Sequence, residues 1–135
     1  MGFYGKETAP ERALGLYDAF LRCWSADTCA PRFRADWSRD NPTLGHCSIT
    51  SFIVQDIMGG EVYGIPLPDG GYHCFNKVEG KVFDLTSEQF GGKTLDYTDC
   101  VPQTRQAHFS DADKYARYVL LKDRLLTALA EGEGE

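Results

Sequence analysis

The stretch GHCSITSFIVQDIMGG, residues 45–60, decides how this chain is organised. Ile49, Phe52, Ile53, Val54, Ile57 and Met58 leave it no consistently polar side, and a helix that is apolar all round is a buried one. Gly59 and Gly60 supply its stop. The stretch predicts a central helix with Cys47 in its first turn. Beyond Gly60 the apolar period becomes that of strands. Residues 61–65 read as one strand and 66–71 as a Pro/Gly-rich turn. Residues 72–78 and 81–85 read as two more strands, joined by Glu79-Gly80 as a two-residue hairpin tip. Upstream, Thr8-Ala-Pro-Glu11 has the form of a capping box with proline in the first turn, and Leu14, Tyr17, Leu21 and Trp24 follow at helical spacing. A helix over about residues 9–25 is the expectation. Downstream, Thr86-Ser-Glu-Gln89 reads as a second capping box with a short helical turn. Residues 91–109 read as loop with one more strand, and Ser110 is placed as the cap of a last helix burying Tyr118, Leu121, Leu125 and Leu129. The expected fold class is α+β: one domain over 1–130 whose buried helix packs on a small antiparallel sheet, with 131–135 a disordered acidic tail.

The bulk numbers narrow the possible functions. With 135 residues there is room for one domain, and 42% apolar with 25% charged residues is the balance of an ordinary globular core and surface. A net charge of −6 with scattered lysines and arginines argues against nucleic acid as the main partner. No apolar run approaches the roughly 20 residues that span a bilayer, so no membrane association is expected. The first six residues open no apolar segment, and a cytoplasmic protein is expected. Five cysteines, an odd number without paired C-x-x-C spacing, fit free thiols better than disulfides or structural zinc.

Three residues carry the chemistry. A helix amino terminus lowers the pKa of a thiol placed there, and its unpaired N–H groups can hold an oxyanion, which singles out Cys47 among the five. Gly45, two positions earlier, reads as a site of close substrate approach. If Glu79-Gly80 is a two-residue tip, Val78 pairs with Lys81, so residue 84 lies opposite residue 75 and diagonal to His73 on the same face. An imidazole held by a carboxylate on a sheet is how a base is oriented toward a nucleophile. A one-residue change of register would break the relation. Singly, each of the three has an ordinary structural reading; their joint placement points to a Cys47–His73–Asp84 triad.

The segment His73-Cys-Phe-Asn76, a turn with Gly80, and Val82-Phe-Asp84-Leu-Thr86 resembles the transglutaminase-like, papain-related core. In that core a histidine precedes an aromatic by two positions, a short hairpin follows, and an aspartate is trailed by threonine. Its nucleophile is a cysteine opening a buried helix upstream, as in Gly45-His-Cys47. The likeness covers about residues 45–86. It implies a thiol hydrolase or acyltransferase acting on an amide or thioester of a peptide, protein or small molecule, without cofactor. It also implies an upstream oxyanion helper, for which Trp37 and Asn41 are the candidates. His46, beside the nucleophile, either contributes an imidazole there or faces solvent.

A longer stretch, about residues 14–130, resembles the small bacterial YunG-like proteins through Trp24, Thr28-Cys29, Trp37-Ser38, Asn41-Pro42, Gly45, Cys47, Thr50, Gln55-Asp56, Gly59-Gly60 and Asp84-Leu-Thr86. Those proteins commonly carry glutamine where this chain has His46. The likeness supports the layout rather than an activity.

Two other functions compete with the enzyme: a peptide- or protein-binding module on the same fold, and a redox-responsive protein pairing Cys47 with Cys29 or Cys74. Metal is not expected. Cys47, His73, Cys74, Cys100 and His108 offer ligand atoms without a recognised spacing, and residues 73 and 74 point to opposite faces of a strand. Neither Gly59-Gly60 nor Gly70-Gly71 has the setting of a phosphate loop.

Overall fold

A computed structural model describes residues 2–133 except 69, 92, 94 and 99. It shows a small α+β single domain. Its order is helix α1 (Glu11–Leu21), a 3-10 turn (Pro31–Asp36), helix α2 (Cys47–Met58), strands β1 (Glu61–Pro66), β2 (Tyr72–Val78) and β3 (Lys81–Phe83), a second 3-10 turn (Ser87–Phe90), strand β4 (Val101–Pro102), and helices α3 (Arg105–Phe109) and α4 (Ala112–Glu133). The strands form one antiparallel sheet in the order β3-β2-β1-β4.

Helix α2 is the centre of the domain. Ile49 through Val54 are six consecutive buried residues, so every face is covered. The sheet covers one side, chiefly through β2, and α4 packs on another. Its buried polar groups find partners: Thr50 Oγ1 accepts from Trp24 Nε1 at 3.0 Å, and the Ser51 carbonyl accepts from Asn76 Nδ2 at 2.9 Å. The helix ends at Gly59 with φ of 78°, a conformation glycine adopts without strain. From its last turn, Gln55 and Asp56 hold Arg105 of α3 at 3.0 and 2.5 Å, and Asp56 also bonds Tyr118 and Lys122 of α4. These two positions, prominent in the family likeness, are the anchor for the carboxy-terminal helices.

The hairpin register is the expected one. Val78 pairs with Lys81, Lys77 with Val82 and Asn76 with Phe83. Glu79 and Gly80 both have positive φ, 54° and 79°, as a two-residue turn matched to strand twist requires. Strand β3 stops at Phe83, and the amino-terminal segment continues its edge: the Asp84 N–H donates to the Tyr4 carbonyl at 3.0 Å. The strand expected within 91–109 is β4, two residues paired with β1.

Several expectations shift. Helix α1 spans 11–21 rather than 9–25, because Pro10 sits at the N-cap and the Thr8 hydroxyl bonds the Gly5 carbonyl instead of capping. Its buried face is Ala13, Leu16, Ala19 and Phe20, one position away from the stripe of large side chains; Leu21 is exposed. The Thr86 hydroxyl likewise leaves its turn uncapped and bonds Asp84. The last helix is capped by Asp111, whose Oδ1 accepts from Lys114 N–H, while Ser110 bonds back to Ala107. A short helix, α3, with Thr104 as its cap, precedes it. Helix α4 runs on through residues 131–133, and 134 and 135 lie outside the described residues. No helix among the described residues is long and apolar enough to cross a membrane.

Candidate active site

Three elements converge at the amino-terminal end of α2. Cys47 is the first residue of that helix, His73 the second of β2, and Asp84 follows β3 across the hairpin. The diagonal predicted from the register is a direct bond: His73 Nε2 lies 2.6 Å from Asp84 Oδ2, with both side chains 1% exposed. This leaves Nδ1 as the ring nitrogen not engaged by Asp84, and the Cys47 thiol, whose Sγ lies 3.9 Å from the neighbouring Tyr72 carbonyl, is near enough to act on the imidazole's protonation. Phe90 stands edge-on to the imidazole, 4.7 Å between ring centres, and walls it from solvent.

Asp84 is held by more than His73. Its Oδ2 also accepts from Tyr97 Oη at 2.7 Å, and its Oδ1 accepts from Thr86 N–H at 3.2 Å and Thr86 Oγ1 at 3.3 Å. Four donors on two oxygens keep the carboxylate oriented and its lone pairs satisfied while buried. Tyr97 stacks on Tyr4 and meets Phe75 edge-on, and burial together with Asp84 keeps its phenol protonated as a donor. Tyr97 lies in an aperiodic segment 13 residues from Asp84, and no sequence signal marks it.

The protonation pattern follows from these contacts. The Cys47 thiol is held well below the ordinary cysteine range, first by a hydrogen bond from Cys74, with burial opposing, and further by hydrogen bonding to and the charge of His73. Burial pulls the His73 imidazole down, but the bond to Asp84, then Cys47, outweigh it and raise the pKa to about 10. A thiolate–imidazolium pair results. Cys74 moves the opposite way: its bond to Cys47 and its burial raise the thiol, so it stays a neutral S–H donor. Strand alternation separates residues 73 and 74, yet both interact with Cys47, and the role of Cys74 was not legible for that reason.

The first hydrogen bond of α2 runs from Thr50 N–H to the His46 carbonyl, so the N–H groups of Cys47, Ser48 and Ile49 have no partner within the helix. Cys47 and Ser48 face a cleft of about 480 Å³ that is also lined by Gly45, His73, Phe90 and the start of the 26–44 segment, Ala30 to Phe33. A larger, more open groove of about 770 Å³ lies elsewhere, along Tyr4, Lys81 and Tyr97, and holds no cysteine or histidine among its described residues.

The three proposed oxyanion or substrate helpers do not join this cleft. Trp37 Nε1 donates to the Pro42 carbonyl at 3.0 Å, closing the second half of the loop on itself. Asn41 bridges to Ser38 within the same loop and borders a different cavity. His46 neither faces solvent nor the cleft. It is fully buried, with Nδ1 2.9 Å from the Leu44 carbonyl and Nε2 2.7 Å from Thr28 Oγ1, and burial lowers its pKa to about 4. Gly45 lines the cleft, and packing requires glycine there as well: its φ is 74°, and a Cβ would come within 2.5 Å of Cys29 Sγ. Among the described residues no group of side chains could hold a metal ion.

In comparisons with known proteins, the chain is 32% identical over 78 residues to the uncharacterized protein YunG of Bacillus subtilis (strain 168), a match covering 58% of this chain and 65% of that protein. The matched part is thus just under two thirds of the relative's length. No solved structure matches the chain. The model of the YunG protein family matches residues 12–130, nearly the whole domain including α2, the hairpin and Asp84, and the chain belongs to that family.

Proposed function

We propose that this protein is a thiol hydrolase or acyltransferase with a transglutaminase-like, papain-related arrangement. The observation that carries the reading is the line Cys47–His73–Asp84, a nucleophile at a helix amino terminus, a base bonded to it and a buried carboxylate orienting the base, opening on a cleft. The Cys47 thiolate attacks the carbonyl carbon of an amide or thioester, and a carbon–sulfur bond forms. The oxyanion is taken by the free N–H groups of Cys47 and Ser48. His73 delivers its proton to the departing nitrogen or sulfur as that bond to the acyl carbon breaks. Water or an amine then attacks the acyl-enzyme, gives a proton to His73, and releases the thiolate. Asp84 fixes the ring so that Nδ1 faces sulfur throughout.

Alkylation by iodoacetamide as a function of pH tests this reading. Cys47 should react with an apparent pKa well below the roughly 8.5 of a free thiol, and His73→Ala should return it toward that value. Cys47 labelling no faster than Cys100, or a His73→Ala variant with an unchanged profile, would sink it.

The thiol contact between Cys47 and Cys74 favours a second reading, a peroxide-responsive protein. The Cys47 thiolate would take one oxygen from hydrogen peroxide, expelling hydroxide and giving the sulfenic acid, and the Cys74 thiol would attack that sulfur, expelling water and leaving a disulfide. Cys29 is not the partner, since its thiol bonds the Leu44 carbonyl at 3.2 Å beneath Gly45. Under equimolar hydrogen peroxide, this reading requires an intramolecular Cys47–Cys74 disulfide that Cys74→Ser abolishes.

A further inference from the structure

The chain carries a net charge of −6, yet the wall of the Cys47 cleft has the opposite sign. Arg32, Lys114 and Arg117 line it against a single carboxylate, Asp111. The cations are poorly neutralised by the protein itself. Arg32 lies over the Phe33 ring, 4.6 Å from its centre, and among the described residues pairs with no carboxylate. Lys114 Nζ donates to His108 Nδ1 at 2.9 Å, and His108 Nε2 in turn donates to Gln103 Oε1 at 2.7 Å. That chain of bonds requires a neutral imidazole, so Lys114 meets no carboxylate there. Arg117 is only 6% exposed; its Nε donates to Asp113 at 2.8 Å and its Nη1 to the Thr28 carbonyl at 3.3 Å. Its remaining nitrogen, Nη2, is left for the cleft.

The placement is also unfavourable for the helix that carries it. Lys114 and Arg117 occupy the first two turns of α4, where the macrodipole is positive and cations destabilise. Asp111 and Asp113 offset this only in part. A buried guanidinium and two under-neutralised cations around a pocket of about 480 Å³, the size that encloses a small molecule or a short peptide segment, are features of a site awaiting an anion.

We infer that the substrate of Cys47 carries a carboxylate beside its scissile acyl group, seated on Lys114, Arg117 and Arg32. The inference rests on the thiol-acyl reading and narrows it to one substrate class. Neutral and cationic amides would lose the charge complementarity; an anionic acyl chain would be steered in and held with its carbonyl over the thiolate.

A matched pair of alkylating probes separates this claim from the reactivity of the thiol. Iodoacetate and iodoacetamide both form a carbon–sulfur bond and expel iodide, and differ in the carboxylate. The ratio of their rate constants with Cys47 in the full chain, divided by the same ratio for N-acetylcysteine amide, cancels the thiolate population. The ratio should exceed that of the free thiol, and Arg32→Gln and Lys114→Gln should each lower it roughly three- to sevenfold, the effect of removing one nearby charge at intermediate screening. Both positions are less buried than Arg117, which makes folding of these variants the safer choice. A ratio equal to that of the free thiol, or one unmoved by both substitutions, overturns the anionic substrate while leaving a fast, low-pKa Cys47 in place. Slow reaction with both probes and an ordinary pH midpoint removes the thiol-acyl reading instead, and the ratio still decides whether the cleft prefers anions.

Discussion

Replacing Asp84 by asparagine preserves the shape of the side chain and removes its charge. In the native protein the two oxygens accept from His73, Tyr97 and, twice, Thr86. A carboxamide offers one oxygen and one NH2, so one pair of donors must face another donor in a site where His73 is 1% exposed. The charge effect is larger. The rise of His73 from 6.5 to about 10 corresponds to roughly 5 kcal/mol in favour of the imidazolium. With burial opposing, Asp84 and Cys47 share the work of producing it, and assigning about half to the carboxylate gives a loss of roughly 2–3 kcal/mol, or about two pKa units. The equilibrium constant for the thiolate–imidazolium pair over its neutral form then falls roughly 30- to 100-fold, and alkylation by iodoacetamide falls to the extent that the neutral pair becomes populated. A raised folded-state pKa contributes stability that is fully present below the unfolded value of 6.5 and is lost as pH rises through about 10. Asp84→Asn should therefore melt roughly 8–12 °C below the native protein at neutral pH. The gap should narrow once His73 deprotonates in both. Thermal melts at pH 7 and above pH 10, beside alkylation rates between pH 6 and 9, measure both effects. A variant that melts lower but alkylates at the native rate throughout would refute the argument, leaving Asp84 as a structural anchor that does not hold His73 charged.

Gly45→Ala should destabilise by roughly 2–4 kcal/mol, since it combines a left-handed backbone with a Cβ pressed on Cys29; chemical denaturation measures it, and a neutral effect would contradict the packing requirement. Tyr97→Phe removes one donor from Asp84 and should cost about 1–2 kcal/mol by the same measurement, with a modest upward shift in the apparent pKa of Cys47. His46→Gln offers one donor and one acceptor, as the neutral imidazole does toward Leu44 and Thr28, and should fold with a native Cys47 profile, whereas His46→Leu should lose roughly 2–3 kcal/mol. Because the folded pKa of His46 is lowered to about 4, the native protein should lose roughly 2–3 kcal/mol more than His46→Gln between pH 7 and about pH 4.5; equal losses in urea titrations at the two pH values would contradict this.

How much could be read in advance depended on whether the deciding interaction was local. Helix α2 announced itself because six consecutive buried positions need an apolar run, and its glycine stop has to reach positive φ. The relation of His73 to Asp84 was legible because one two-residue turn sets the hairpin register, and register sets the diagonal. The capping boxes misled: Thr8 and Thr86 have the right spacing, but their hydroxyls found closer acceptors in Gly5 and Asp84. The inner face of α1 was misjudged by one position because Ala13 and Ala19, which let neighbours approach, count for little beside Leu and Tyr in a pattern of large side chains. The oxyanion helpers failed for a non-local reason. Whether the indole N–H of Trp37 is free depends on where Pro42 places its carbonyl, and nothing in the spacing states that. The cations of the cleft were equally hidden, since Arg32 and Lys114 are far apart in the chain and meet only when α4 packs on α2.

The three histidines show why one carboxylate matters so much to this site. Burial pulls all three imidazoles toward the neutral form. His46 meets a carbonyl and a hydroxyl, which satisfy a neutral ring and cannot stabilise a cation enough, so it stays uncharged within the first turn's surroundings. His108 meets the ammonium of Lys114, which lowers it further. Only His73 meets a carboxylate, one whose remaining lone pairs are filled by Tyr97 and Thr86. The imidazolium of His73 is thereby placed against the Cys47 thiol, whose pKa is depressed. The same sorting lets the neutral His108 accept from Lys114 on the cleft wall, where a charged His108 would repel it. A protonated His46 behind Cys47 would also favour the thiolate, but at a pH where the fold is already losing that residue's bonds. Reactivity at neutral pH must therefore come from the His73–Asp84 pair, and the pH at which it fails on the alkaline side is set by His73 rather than by sulfur.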